Sequence, residues 1–177
     1  MAFKFRKNLD GSSQVPSLLY GIGKNSVIFT VGDTIRFNTS GFLDLATTTE
    51  QNIGIVAGVV NPKGLPVDCD AGTVDTWTMT AGNQTVAMNQ VVFLPSFGHY
   101  AFSADSDTTI EQASLGKYFA LNSTSDGIVT SGESDTIGTL DCQLIGIDPD
   151  GDADASKGLY RFVNSQMGQL TLGSRVA

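Results

Sequence analysis

An all-β fold is predicted by three features of this 177-residue sequence. Short apolar stretches rich in Val, Ile, Phe and Thr alternate with turns carrying Gly, Asn, Asp and Ser. Turn signals recur about every 8–12 residues, the spacing of a sandwich or barrel and not of βαβ units. Charged residues make up only 16% of the chain, below the roughly 25% of ordinary soluble domains. Ser, Thr, Asn and Gly fill the difference, and that mix suits short strands and disfavours long helices. The expected architecture is a small β-barrel or β-sandwich body over residues 26–177, with one short helix and an extended N-terminal arm over residues 1–25. A softer boundary near 62–72 would divide the body.

In the arm, Phe3 and Phe5 alternate with Lys4 and Arg6, the period of a strand. Asp10-Gly11-Ser12-Ser13 reads as a turn or link, and Pro16 disfavours a helix. An alternating arm with few internal partners is suited to adding a strand to a neighbour's exposed sheet edge. Its removal over residues 1–15 is expected to leave the body folded.

From Ser26 the strand pattern is dense. Val27–Val31 leads through Gly32-Asp33 into Thr34–Asn38, then through Thr39-Ser40-Gly41 into Phe42–Ala46. Ile53–Val60 follows, with Gly54 and Gly58 set among β-branched residues. Glycine inside a strand marks a bulge or a close backbone approach. Asn61-Pro62-Lys63-Gly64 is a turn. Val74–Thr80 is a strand whose Trp77 is expected in the core. Val86–Leu94, a short stretch at Tyr100 and Phe102, Lys117–Leu121, Thr139–Ile147 and Leu159–Val163 complete the set. Thr108 and Glu111 have capping-box spacing, Ile110 and Leu115 can face a core, and Gly116 stands at a C-cap, so a helix of about two turns is predicted there. Residues 123–135 and 148–156 read as exposed loops.

Charge is unevenly distributed along the net −8 chain. Residues 1–36 carry five cations against two anions, for +3, and residues 37–177 carry the other five cations against sixteen anions, for −11. An acidic body repels phosphate, so sequence-independent nucleic-acid binding is not expected. The basic leading segment is suited to an acidic patch on a partner. Neither a signal-peptide h-region nor an apolar run of membrane-spanning length is present, so a soluble protein made in a cytoplasm is expected.

The sequence offers little for catalysis, and no cofactor is expected. His99 is the single histidine. Ser96 and Ser103 lie near it, but there is no G-x-S-x-G elbow. Gly21-Ile22-Gly23-Lys24-Asn25-Ser26 fails the phosphate-loop pattern, with Leu18 where the first Gly belongs and Asn25 where Ser or Thr belongs. Cys69 and Cys142 lack the companions of a zinc site and read as free thiols, although a disulfide between them stays open. Asp148, Asp150, Asp152 and Asp154 form an acidic run able to converge on calcium. The run fails the EF-hand test in both frames, at Leu159 or at Ala155 and Arg161, so a Pro-Asp-Gly turn is the simpler reading.

Four segments carry a resemblance: Val31-Gly32-Asp33-Thr34-Ile35-Arg36-Phe37, Gly54-Ile55-Val56-Ala57-Gly58-Val59-Val60, Leu115-Gly116-Lys117-Tyr118-Phe119 and Gly146-Ile147-Asp148-Pro149-Asp150-Gly151-Asp152. In this order they resemble the decoration, or cement, proteins of tailed-bacteriophage capsids. The resemblance implies a non-enzymatic virion protein on the capsid exterior, assembled in the host cytoplasm. It implies a homotrimer that binds the major capsid protein at three-fold and quasi-three-fold sites and stabilises the shell against the pressure of packaged DNA. It also implies that the arm, with Phe3, Lys4, Phe5, Arg6 and Lys7 as the docking stretch, orders on the shell. Two other readings suit the same composition: a tail, baseplate or fibre-associated virion protein, and a calcium-dependent carbohydrate-binding β-sandwich.

Overall fold

The computed structural model describes residues 3–13, 16–47, 50–79, 89–107, 109–121, 128–136, 140–148, 157–163 and 165. In chain order its strands are β1 (Lys4–Asn8), β2 (Leu19–Gly21), β3 (Ile28–Thr30), β4 (Thr34–Phe37), β5 (Leu43–Leu45), β6 (Gly54–Val60), β7 (Thr76–Thr78), β8 (Gln90–Pro95), β9 (Tyr100–Asp105), β10 (Tyr118–Leu121), β11 (Ile128–Ser134), β12 (Cys142–Ile147) and β13 (Lys157–Phe162). They form a six-stranded sheet of order β1-β9-β13-β12-β10-β11, a five-stranded sheet of order β2-β8-β6-β4-β5 and the pair β3-β7. All the strand pairings are antiparallel. The all-β class expected from the sequence is therefore the observed one.

Among the described residues no closed barrel forms. The five-stranded sheet curls until its ends approach, and Gly23 makes a single parallel bridge to Leu43. There the Lys24 N–H donates to the Leu43 carbonyl (2.7 Å) and the Leu43 N–H to the Ile22 carbonyl (2.8 Å). Inside the curl, Phe29, Ile35, Leu43, Ile53, Val56, Val59, Trp77 and Phe93 form one core. A second core includes Phe3, Phe102, Phe119, Leu144, Tyr160 and Phe162 from the six-stranded sheet, with Ala46 and Ile55 from the other part of the chain. β6 thus feeds both cores, Ile55 into one and Val56 and Val59 into the other. Burial on both faces at Gly54–Val56 suits the apolar start of β6, with Ala57 exposed beyond it, whereas β13 alternates half-buried and buried residues as a one-sided strand does.

The turns form where their residues predict. Asn38 and Asn61 each accept two backbone N–H groups, from Ser40 and Phe42 and from Lys63 and Leu65. Each turn places a glycine at positive φ three residues later, Gly41 at 81° and Gly64 at 77°. Asp33 caps the β3–β4 turn by accepting the Thr30 N–H (2.8 Å). The segment 62–72 is the turn and loop between β6 and β7.

Three expectations change. Instead of a two-turn helix there is one 3-10 turn, Gln112–Ser114, and Glu111 before it is extended with no side-chain cap. Ile110 is buried and Leu115 packs on the core without the helix, so tertiary contacts satisfied the apolar residues in a shorter conformation. Gly116 does take the positive φ of a terminator, 86°; Thr108 lies outside the described residues. Within 123–135, residues 128–134 are strand β11, paired with β10. Their Ser, Gly and Glu content concealed an edge strand, which needs no strong alternation.

The third change concerns the N-terminal segment. Residues 4–8 pair with β9 as the edge of the six-stranded sheet, and residues 19–21 pair with β8. Phe3 is 2% exposed in the core. Few internal partners were expected of this segment, and it has several, because two aromatic residues at period two suffice to bury one strand face.

Candidate functional site at the basic edge strand

The docking stretch Phe3–Lys7 divides into an anchor and a charged rim. Phe3 packs against Phe162 with ring centroids 5.3 Å apart, and its N–H donates to the Gly32 carbonyl (3.1 Å). Phe5 is half-buried and meets Tyr100 and Phe102 edge-on at 5.6 and 6.0 Å. Such edge-on pairs are favourable beyond their buried area. Lys4, Arg6 and Lys7 are exposed. The register shifts between Phe5 and Lys7, a bulge at Arg6 that redirects the following side chains.

The bulge lets Arg6 reach a residue 142 positions away. Its Nη2 lies 2.8 Å from Oδ2 of Asp148, whose side chain is 2% exposed against 34% for Arg6. The same oxygen accepts the Ser103 hydroxyl, and the Asp148 N–H donates to the Lys157 carbonyl (3.1 Å). A buried carboxylate is tolerable when it is paired and hydrogen-bonded, and both conditions hold here. The pair ties β1 to the end of β12.

That geometry bears on the acidic run. Asp148 points into the protein at a guanidinium, which repels a cation and occupies an oxygen a metal would need. Asp150, Asp152 and Asp154 lie outside the described residues. Among the described residues no three His, Cys, Asp or Glu side chains gather to hold an ion.

His99 is exposed beside the same strand. It stacks on Phe97 at 5.4 Å with 11° between ring planes and meets Tyr100 at 4.3 Å. Its carbonyl accepts the Leu9 N–H (2.7 Å). The neighbouring hydroxyls are engaged elsewhere, Ser96 with Ser165 (2.7 Å) and Ser103 with Asp148. Cys142 is buried and Cys69 half-buried, both free and packed in different cores.

An open depression of about 280 Å³ is lined by residues of Phe5–Asn8 and Gly11–Ser13. The Asp10–Ser12 turn is held by local bonds. Asn8 Nδ2 donates to the Ser12 carbonyl (3.0 Å) and hydroxyl (2.7 Å), and the Ser12 N–H donates to Asp10 (2.9 Å). The Ser12 backbone and hydroxyl hold the Asp10 carboxyl below its ordinary range. Burial raises Tyr100, and the Asp10 charge adds to it.

Elsewhere the N-terminal cations are balanced within the body, Lys24 by Asp44 (2.6 Å) and Arg36 by Glu50 (2.8 Å). Lys4 and Lys7 are exposed on β1. The sequence identified the stretch but not Asp148, Ser103 or Ser12 as its supports; no spacing signal links residues so far apart. Compared with known proteins, the chain matches no family model, no curated protein and no solved structure.

Proposed function

We propose that this protein is a virion structural protein: a decoration protein that binds the outer surface of a tailed-phage capsid, as a homotrimer at three-fold and quasi-three-fold sites, and stabilises the shell. The observation carrying this reading is a basic strand at the end of its sheet, with Lys4 and Lys7 exposed, on a chain that is otherwise acidic. The resemblance of the four sequence segments supports it. The function is adhesive. Many modest contacts repeated over a symmetric shell accumulate through effective concentration, with no chemistry required.

Truncating the N-terminus is a poor test, because Phe3 belongs to the core. Charge reversal at Lys4 and Lys7 is cleaner, since both are exposed. The full chain is expected to co-sediment with undecorated expanded shells of its own phage, in hundreds of copies per shell, and Lys4→Glu/Lys7→Glu to lose most of that binding while its melting temperature is unchanged. A wild-type chain that ignores shells, or that is recovered from virions in only a few copies, would overturn the decoration reading and favour a tail or baseplate fitting.

A further inference from the structure

We infer that the corner where the end of β1 meets the β8–β9 turn is a side-chain contact site, built on Leu9, His99 and Lys7. It takes an acidic segment of the protein partner that carries bulky apolar side chains beside its carboxylates. The inference rests on the adhesive reading and gives the chemistry of one of its contacts.

The corner joins two segments far apart in sequence. Past the bulge, β1 sets Lys7 against Ala101 and Asn8 against Tyr100, and the Leu9 N–H continues the register to the His99 carbonyl (2.7 Å). Leu9 is 39% exposed, and His99 is exposed opposite it. A single exposed apolar residue is ordinary on a protein surface. Here it stands beside a ring that is held in place while it faces water. The Tyr100 N–H donates to the Phe97 carbonyl (3.0 Å) and closes the turn that carries His99. The imidazole then stacks on the half-buried Phe97 ring and meets Tyr100 edge-on. On the β1 side, the Asn8 side-chain amide donates to Ser12, which fixes the chain reversal that follows Leu9. The backbone at Leu9 and the ring of His99 are thus set before a partner arrives, and less freedom is left to lose on contact.

Charge selects the occupant. Lys7, two residues before Leu9, is exposed, and Lys4 is exposed further along β1. Arg6 between them is turned to Asp148. Asp10 follows Leu9, and its carboxylate accepts the Ser12 N–H (2.9 Å), so an incoming carboxylate is directed to the Lys7 side of the corner. An exposed ion pair is weak by itself. The apolar contact with Leu9 and the stacked imidazole supplies what the charge does not, because aromatic and apolar residues at the centre of a contact carry most of its energy. A segment with charge alone, or with apolar side chains alone, satisfies half of the corner.

His99 is the single histidine, so its imidazole gives one set of proton NMR signals that reports the corner directly. The probe is an N-acetylated peptide of alternating Glu and Leu, titrated into the full chain at constant pH. A saturable displacement of the His99 signal is expected, with the affinity lowered about tenfold by Leu9→Ser and about tenfold by Lys7→Glu. A peptide of alternating Glu and Gly keeps the charge without the apolar side chains, and one of alternating Lys and Leu does the opposite. Both are expected to bind about tenfold more weakly than the Glu/Leu peptide. An unmoved His99 signal overturns the inference, and so does equal binding by either control peptide. Circular dichroism melting shows whether the variants are folded; if they are not, the three peptides on the wild-type chain decide alone. Shell co-sedimentation separates the two proposals. Peptide binding at His99 without shell binding removes the decoration reading and keeps the corner, and shell binding with an unmoved His99 signal does the reverse.

Discussion

Gly54 and Gly58 lie four residues apart in β6 and differ in what they permit. A Cβ at Gly54 would collide with the Leu94 carbonyl oxygen and, at 2.5 Å, with the Phe93 ring. The backbone of β8 cannot retreat without breaking its ladder, so Gly54→Ala is expected to cost about 3 kcal/mol. At Gly58 nothing lies within 4 Å, and the position coincides with a register shift between β6 and β8. Gly58→Ala is expected to be neutral or to stabilise by about 0.5 kcal/mol through the unfolded chain. Urea unfolding of both variants measures the contrast. Burial also raises two buried acids, the Cys142 thiol above 9.0 and the Tyr160 phenol above 10.0. The folded state keeps both protons where the unfolded chain has released them. Stability is therefore full below about pH 9 and falls above it, by about 1.4 kcal/mol per pH unit for each group once its unfolded value is passed. Unfolding midpoints across the alkaline range should show this decline, and Cys142→Ala should remove the earlier part of it. Asp148→Asn would remove the charge that faces Arg6 at 2.8 Å; because the guanidinium is one-third exposed, a loss of about 1–2 kcal/mol is expected, short of that for a fully buried pair.

At the scale of elements, β1 is a structural strand as well as a candidate docking edge. Phe3→Ala removes a buried ring that packs on Phe162, and a cost of about 3 kcal/mol is expected from calorimetric melting. The two Asn-x-x-Gly turns are the clearest example of local chemistry that was legible in the sequence. In each, the Asn side chain takes two N–H groups and the glycine N–H returns to the Asn carbonyl, at 3.0 Å for Gly41 and 2.8 Å for Gly64. Gly41→Ala and Gly64→Ala should each cost about 1 kcal/mol by forcing a Cβ into left-handed backbone, in open space where nothing else is disturbed. The 3-10 turn at Gln112–Ser114 and the edge strand β11 were less legible. The first has helix-like spacing over too few residues to nucleate a helix, and the second lacks the apolar alternation by which strands are recognised.

Across the whole molecule, the six-stranded sheet is assembled from both parts of the chain that flank β2–β8. β1 comes before that segment and β9–β13 after it. Several contacts join the two cores: Phe3 N–H to Gly32, the Ser96–Ser165 hydroxyl pair and the Asn52–Ser165 bridge. Ile55 in β6 serves one core and its neighbour Val56 the other. The cores should then unfold together. Trp77, inside the curled sheet with its indole N–H on the Val67 carbonyl (3.0 Å), reports one core. Modification of the Cys142 thiol reports the other. Coincident denaturant midpoints for Trp fluorescence and Cys142 reactivity are the expected outcome, and separated midpoints would show independent units.

By itself the sequence determined the all-β class, most strand positions, the Asn-Gly turns, the burial of Trp77 and the basic character of the N-terminal stretch. These depend on periodicity, turn chemistry and charge, which are local and so can be read from neighbours along the chain. The tertiary structure alone decided that Phe3 enters the core, that Arg6 meets Asp148, that β6 is shared by two cores and that β1 is an edge of its own sheet. Those outcomes come from pairings between residues far apart in sequence. Many registers satisfy the same local pattern, and only the packed arrangement in which the buried rings and the buried carboxylate all find partners selects among them.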